Sequence, residues 1–209
     1  MISRMWAAAL LLVAAGCAPR AVTLPGVAVA PLRMPRAQLA PGLQQITFTF
    51  EYRDNEMFAS GEGAARVASP DSARLDLFLR GGVGSGFAIV FGDTVHAPGG
   101  ALMRRFLPPT AMFWAALGRL AVPPGDTTVR VEGNIVRADI RRGPNTMRVA
   151  FEGDRLTSIE NIEGDGIVER ATRAGERLTY EHFAAHRRLT MIVTRTQPVE
   201  SFDAAIWRH

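Results

Sequence analysis

The chain has 209 residues, of which 47% are hydrophobic and 21% are charged. This composition is ordinary for a globular protein and excludes wholesale disorder. All 24 basic residues are arginines, the formal net charge is only +4, and acids alternate with arginines along the chain. A clustered basic stripe with stacking aromatics is missing, so we expect no nucleic-acid partner.

The first 16 residues have the layout of a secretory signal peptide, with Arg4 before an apolar run and small residues after it. The apolar stretch 6–16 is shorter than the roughly 20 residues that cross a bilayer. Cys17, the only cysteine, follows the small residues directly, which resembles the lipobox of bacterial lipoproteins. The resemblance implies that residues 1–16 are removed and that Cys17 carries lipid. The alternative is an ordinary cleaved signal that happens to end near a cysteine.

A lipidated Cys17 would attach the chain to a membrane through acyl chains and would leave no thiol for a disulfide. Ala18 follows where some bacteria use an aspartate as a retention signal. We therefore expect the periplasmic face of the outer membrane rather than the inner membrane. Residues 17–43 contain five prolines between small apolar residues, which predicts an extended tether. The alternative is that part of this segment packs on the body as an ordered arm.

From residue 44 onward the pattern has period two. In residues 45–52, Ile46, Phe48, Phe50 and Tyr52 share one face and polar residues share the other, which predicts a half-buried strand. Turn signals recur about every 8–12 residues, as in an antiparallel all-β meander. We expect the short segment 202–207 to pack back on the body. The other predicted strands are residues 58–67, 74–80, 86–91, 94–97, 129–131, 135–140, 147–151, 156–162, 167–172, 177–183 and 188–195.

The middle of the chain differs, because residues 111–120 are rich in helix formers and place their large apolar side chains on one side. Thr110 is a plausible N-cap, and two prolines end the run at 123–124. The sequence therefore predicts a mainly β (α+β) domain over residues 44–209. Its architecture is a curled antiparallel sheet, or unclosed β-barrel, of about ten strands over a central helix.

Residues 44–207 resemble the LolA/LolB superfamily of bacterial envelope proteins, which fold as an unclosed antiparallel β-barrel over helices with a hydrophobic cavity between them. The LolB branch is lipid-anchored and inserts lipoproteins in the outer membrane, and other relatives carry lipids. The resemblance implies acyl chains or acylated lipoproteins as partners. This chain departs from LolB by its proline-rich segment and by its last nine residues. The stretches that carry the resemblance are residues 61–67, 70–77, 117–123 and 188–193.

A curled sheet has more concave apolar area than one helix covers, and an exposed apolar patch of several hundred Å² is typical of a binding surface. We therefore expect a hydrophobic cavity between helix and sheet that binds or transfers lipidic cargo. For each lining residue the alternative is simple core packing. The predicted lining residues are Phe48, Phe50, Leu75, Leu77, Met112, Phe113, Val149 and Met191.

Catalytic signals are weak. His182 and His186 are four apart, but Phe183 stands where the zinc-peptidase motif needs glutamate. Residues 82–86 are glycine-rich but fit neither a dinucleotide loop nor the Gly-x-Ser-x-Gly elbow around Ser85, and a hairpin turn is expected there. We expect no enzyme activity, no metal, no cofactor and a monomer. The alternatives to a lipid carrier are a structural or assembly lipoprotein that docks another envelope protein, and a hydrolase without a recognisable motif.

Overall fold

The computed structural model describes residues 19–28, 34–82, 84–98 and 100–208, except for the side chains of residues 100–102. The expected signal peptide 1–16 and Cys17 lie outside the described residues. The described residues form one 13-stranded antiparallel sheet, whose outer strands do not pair with each other, so the predicted unclosed β architecture is confirmed. The strands are β1 Val27–Ala28, β2 Leu43–Arg53, β3 Phe58–Ala68, β4 Ser72–Leu79, β5 Ser85–Phe91, β6 Thr94–His96, β7 Asp126–Glu132, β8 Ile135–Arg142, β9 Asn145–Glu152, β10 Arg155–Glu163, β11 Gly166–Ala174, β12 Arg177–His182 and β13 Arg187–Val199.

Two meanders build this sheet. One runs from β2 to β6 and the other from β7 to β13, and the long antiparallel pair of β13 with β2 joins them. That pair places Met191 opposite Phe50 and Val199 opposite Leu43, with a register shift between Val193 and Arg195. The sheet carries alternate residues of its strands inward, and the buried side chains form the core on that face.

The strands agree with the sequence pattern, since each predicted run lies on a strand of the structure. The number of strands, about ten in the prediction, was too low. β4 and β5 form the expected hairpin, in which residues 85–86 already belong to β5 and the N–H of Leu79 donates to the carbonyl of Gly84 at 3.0 Å. At the end of the chain, Trp207 packs 5.8 Å from Phe91 between ring centroids, as expected for a segment that returns to the body.

The helical part differs from the prediction. Two seven-residue helices, α1 Gly100–Phe106 and α2 Thr110–Ala116, replace one longer helix. Pro109 is the N-cap of α2 and no side chain caps it, so the assignment of Thr110 as N-cap was wrong. The helix ends because Gly118 adopts φ +93°, and the Arg119 N–H donates to the carbonyl of Trp114 at 2.8 Å. These are the features of a Schellman motif.

The proline-rich segment packs on the body where the structure describes it. Pro19 accepts a hydrogen bond from the Ile167 N–H at 2.9 Å, and Val27 in β1 pairs with Val131 in β7. Leu24 is buried. Residues 19–28 therefore form the ordered arm that the sequence leaves open as an alternative. Arg148 on β9 also donates to the carbonyl of Val22 at 2.8 Å.

Candidate functional site

An apolar cavity lies between the two helices and the concave face of five neighbouring strands, β12, β13, β2, β3 and β4. Its free volume is about 40 Å³, enough for a water or two but not for an organic ligand. Only Thr179 and Tyr180 bring a polar side-chain atom to the lining. The lining residues are Ile46, Phe48, Phe50, Ala65, Leu75, Leu77, Phe106, Pro108, Met112, Phe113, Ala116, Leu117, Leu178, Thr179, Tyr180, Leu189, Met191 and Val193.

Seven of the eight residues expected from the sequence line this cavity; the eighth, Val149, does not. Val149 is fully buried on β9 between Ala138 on β8 and Ile159 on β10, so it belongs to the core of the other half of the sheet. The sequence analysis missed Phe106, the last residue of α1. It also missed the contribution of β12, although the alternation in that strand points to Leu178 and Tyr180 as inward residues.

Two glycines in β3 shape the floor. Gly61 stands opposite Phe50 and Gly63 stands opposite Phe48. A Cβ built on Gly63 would lie 2.4 Å from Cζ of Phe48, because the phenylalanine ring rests directly on the glycine backbone. Because Gly61 and Gly63 have no side chains, the rings of Phe50 and Phe48 can lie directly against β3 and form the floor of the cavity.

The helices are held on the sheet by side chains. The Phe106 ring packs edge-to-face on Tyr52 with 4.8 Å between centroids. Trp114 is buried, and its Nε1–H donates to the carbonyl of Gly92 at 2.7 Å. Met103 occupies the space above Gly86, where a Cβ would lie 2.5 Å from its sulfur. The roof of the cavity thus rests on aromatic packing and on flexible methionines.

A charged cluster, formed by Tyr52, Asp54, Glu56 and Arg105, fastens the end of α1 to the turn between β2 and β3. The Arg105 Nε–H donates to Asp54 Oδ2 at 2.6 Å, and the Tyr52 hydroxyl donates to the same oxygen at 2.6 Å. Arg105 also pairs with Glu56 at 2.6 Å. The hydrogen bond from Arg105 holds the pKa of Asp54 well below its usual value, so this carboxylate stays ionised at neutral pH.

A second polar network joins β10, β11 and β12. Glu169 is buried and accepts hydrogen bonds from the Tyr180 hydroxyl at 2.9 Å and from Asn161 Nδ2 at 3.0 Å. Burial and the nearby Glu169 charge raise the pKa of Tyr180. Both carboxylate oxygens are therefore satisfied, and the network anchors three adjacent strands.

The two histidines four residues apart do not converge. Nδ1 of His182 accepts from the Ala185 N–H at 3.2 Å, and its Nε2 lies 3.9 Å from Glu169. His186 sits in the following turn with φ +49°. Within the described ranges no group of three or more potential ligands could hold a metal ion. Among those same residues, no helix has the length and apolar character needed to traverse a bilayer.

Comparison with known proteins gives a fold but no close relative. No protein-family model matches the chain, and no curated protein matches its sequence. A putative outer membrane lipoprotein-sorting protein domain from Vibrio parahaemolyticus matches with a TM-score of 0.50 and 6% identity, over 80% of this chain and 89% of that one. A LolA superfamily protein from Nitrosomonas europaea matches with a TM-score of 0.52 and 6% identity, over 81% and 92%.

These two matches cover 80% and 81% of the chain. The chain has a LolA/LolB-like fold, which confirms the resemblance inferred from the sequence. At 6% identity the likeness concerns the fold alone. The chemistry of this chain therefore has to be argued from its own cavity and its own charged groups.

Proposed function

We propose that this protein carries lipidic or acylated cargo in the bacterial envelope, with the acyl chain held between the two helices and the concave face of the sheet. The observation that carries the proposal is the apolar lining of the cavity, to which both helices and five strands contribute. The LolA/LolB-like fold supports it, since one structural neighbour is described as a lipoprotein-sorting protein domain. Attachment through a lipidated Cys17 and action at the outer membrane complete the proposal.

The cavity of about 40 Å³ is far smaller than the roughly 300 Å³ or more of a typical ligand site. Cargo therefore enters only when the helices move away from the floor. An acyl chain between them contacts the floor on one side and the helices on the other, so the apolar surface stays covered. At about 0.8 kcal/mol per methylene, 14 carbons contribute roughly 11 kcal/mol before the cost of ordering the chain.

The helices are suited to such a movement. Each has only seven residues, and isolated helices of this length are unstable in water. Their position depends on the side chains that they bury in the cavity, among them Phe106, Met112 and Phe113. Cargo that replaces those contacts can displace the helices without unfolding the sheet.

Two adjacent residues on β13 provide the test. Met191 lies between Leu178 and Phe50 in the register and lines the cavity, whereas Ile192 is 40% exposed on the other face. We expect Met191→Arg to weaken uptake of a fluorescent fatty acid at least tenfold, because a guanidinium resists desolvation. Ile192→Arg, the matched control, should bind like the wild type. Circular dichroism checks that both variants fold.

The competing function is that of a non-enzymatic assembly lipoprotein that docks another envelope protein. That function predicts that wild-type protein purified from its own host carries no lipid in native mass spectrometry and takes up no fatty acid. Either result, or equal losses in Met191→Arg and Ile192→Arg, would contradict the carrier proposal.

A further inference from the structure

A polar cleft of about 520 Å³ lies beside α1, at the end of the sheet where β2 turns into β3. Three arginines and two carboxylates reach it, so its net charge is positive. The cleft is open and charged, whereas the cavity under the helices is closed and apolar. The cleft therefore suits a polar part of a ligand, and the cavity suits an apolar part. The cleft residues are Asp54, Asn55, Glu56, Arg104, Arg105, Ala185 and Arg187.

One arginine already neutralises the carboxylates. Arg105 pairs with Asp54 through Nε and with Glu56 through Nη2, both at 2.6 Å. Asp54 also accepts from the Tyr52 hydroxyl and from the backbone N–H groups of Glu56 and Met57. These carboxylates therefore have their partners, and among the residues that the structure describes neither of them forms an ion pair with Arg104 or Arg187.

Arg187 has an unsatisfied donor. Its Nε is buried and has no hydrogen-bond partner in the part of the chain that the structure describes. A buried donor without an acceptor destabilises the folded protein, and more so when the group is charged. A guanidinium offers several N–H groups in a planar fork that fits carboxylate or phosphate. An anion in the cleft would bind the terminal Nη groups of Arg187, which lines the cleft, and would also face Arg104, which is exposed at the rim.

The cleft begins where the apolar cavity ends. Arg105 lines the cleft and the next residue, Phe106, lines the cavity. On β13, Arg187 lines the cleft, and Leu189, two residues later, lines the cavity. Tyr52 contacts both sites, because it pairs with Leu189 in the register and its hydroxyl donates to Asp54 in the cleft.

We infer that the cleft binds the anionic headgroup of an amphiphile whose acyl chain occupies the cavity, with Arg187 and Arg104 as the headgroup ligands. This inference rests on the proposed carrier function and adds the class of cargo: a fatty acid or a phospholipid with net negative charge, in preference to a neutral lipid. Carboxylate and phosphate share the chemistry that the arginines recognise.

The test compares two ligands of equal chain length, dodecanoate and dodecanol, by calorimetry with the full folded protein at pH 8. Wild type should bind dodecanoate at least tenfold more tightly. Arg187→Gln should lose about tenfold in affinity for dodecanoate, equivalent to about 1.4 kcal/mol, and should bind dodecanol unchanged. Arg104→Gln should give a smaller loss in the same direction.

Arg188→Gln is the matched control, because Arg188 is the next residue on β13, is 62% exposed and lies near Glu181 instead of the cleft. It should bind both ligands like the wild type. If Arg187→Gln does not fold, the preference of the wild type and the loss in Arg104→Gln decide.

Each other outcome has its own meaning. Equal affinity of the wild type for both ligands, or equal losses for both in Arg187→Gln, would overturn the headgroup site and leave the carrier function standing. Binding of inorganic phosphate alone, lost in Arg187→Gln, would identify a free-anion site and overturn both proposals. Absence of binding to either amphiphile would overturn both as well.

Discussion

Phe48 offers the sharpest test of how the cavity is built. Its side chain is 2% exposed and its ring rests on Gly63, which has no side chain to move into a void. Replacing a buried phenylalanine by alanine costs about 3–5 kcal/mol, and the cost is greatest where the site does not collapse. We therefore expect Phe48→Ala to lower the free energy of unfolding by about 4 kcal/mol. At 2–4 °C per kcal/mol for a chain of this size, the melting temperature falls by about 12 °C.

The void in Phe48→Ala joins the existing cavity, so an acyl ligand can fill it. Urea unfolding with and without dodecanoate measures both effects. We expect the ligand to raise the free energy of unfolding of Phe48→Ala more than that of the wild type at equal ligand concentration. The increase is RT ln(1 + [L]/Kd), so it is larger for the variant that binds the ligand more tightly. Phe78→Ala is the control, since Phe78 is 54% exposed and should lose less than about 1 kcal/mol. Equal losses in the two variants, or equal stabilisation of Phe48→Ala and the wild type by ligand, would refute this account of the floor.

Two further predictions concern the same elements. Gly63→Ala should destabilise the protein by about 1–3 kcal/mol in urea unfolding, because the new methyl group would overlap Phe48. Gly166→Ala is the control and should be tolerated, because no atom lies nearer than 3.7 Å to a Cβ built there. Similar losses in the two variants would contradict the close contact between Phe48 and Gly63. The pKa of Asp54 is lowered in the folded state from its ordinary value of 3.8 by the hydrogen bond from Arg105, so its contribution to stability is present above about pH 4 and is lost as the pH falls below that value. Asp54→Asn should therefore show a flatter decline of the urea midpoint between pH 5 and pH 2.5, and an unchanged slope would refute the role of this carboxylate.

The strands could be predicted because their signal is local. Ile46, Phe48 and Phe50 alternate with polar residues, and the structure places β2 at Leu43–Arg53 where the pattern predicts 45–52. The glycines between the later strands, such as Gly153 and Gly164, adopt φ near +60°, as the turn signal requires. The two-residue strand β1 could not be found, since it has no period and owes its existence to its partner β7.

The helices could be predicted only in part. Apolar residues continue past Ala116 to Leu120, so the 3.6-residue period extends the helix beyond its actual end at Ala116. Gly118 stops it, and a glycine within a helical run is not by itself a decisive signal. The other helix, α1, has seven residues and no acidic residue in its first turn, which leaves little for a pattern to detect.

The site needs long-range information. Inward positions can be recognised from alternation, but which of them face the helices depends on how the sheet curls. Val149 and Met191 look alike in sequence, yet only Met191 lines the cavity. Arg187 stands beside Arg188 and reads as part of a solvated charge run, whereas the structure buries its Nε. Met112 is expected from the sequence to line the cavity, but the structure buries it completely, so a charge at this position would disrupt the fold.

The arm at the start of the described chain limits how the protein can be oriented. The carbonyl of Pro19 accepts a hydrogen bond from the Ile167 N–H, and the Ala21 N–H donates to the carbonyl of Asp165 at 2.8 Å. These two hydrogen bonds hold the chain against the β10–β11 turn. Position 17 is two residues earlier, and two residues of extended chain reach at most about 7 Å. An acyl group on Cys17 would therefore set that turn beside the phospholipid headgroups. The molecule would then face the bilayer with one fixed end, instead of tumbling freely above it.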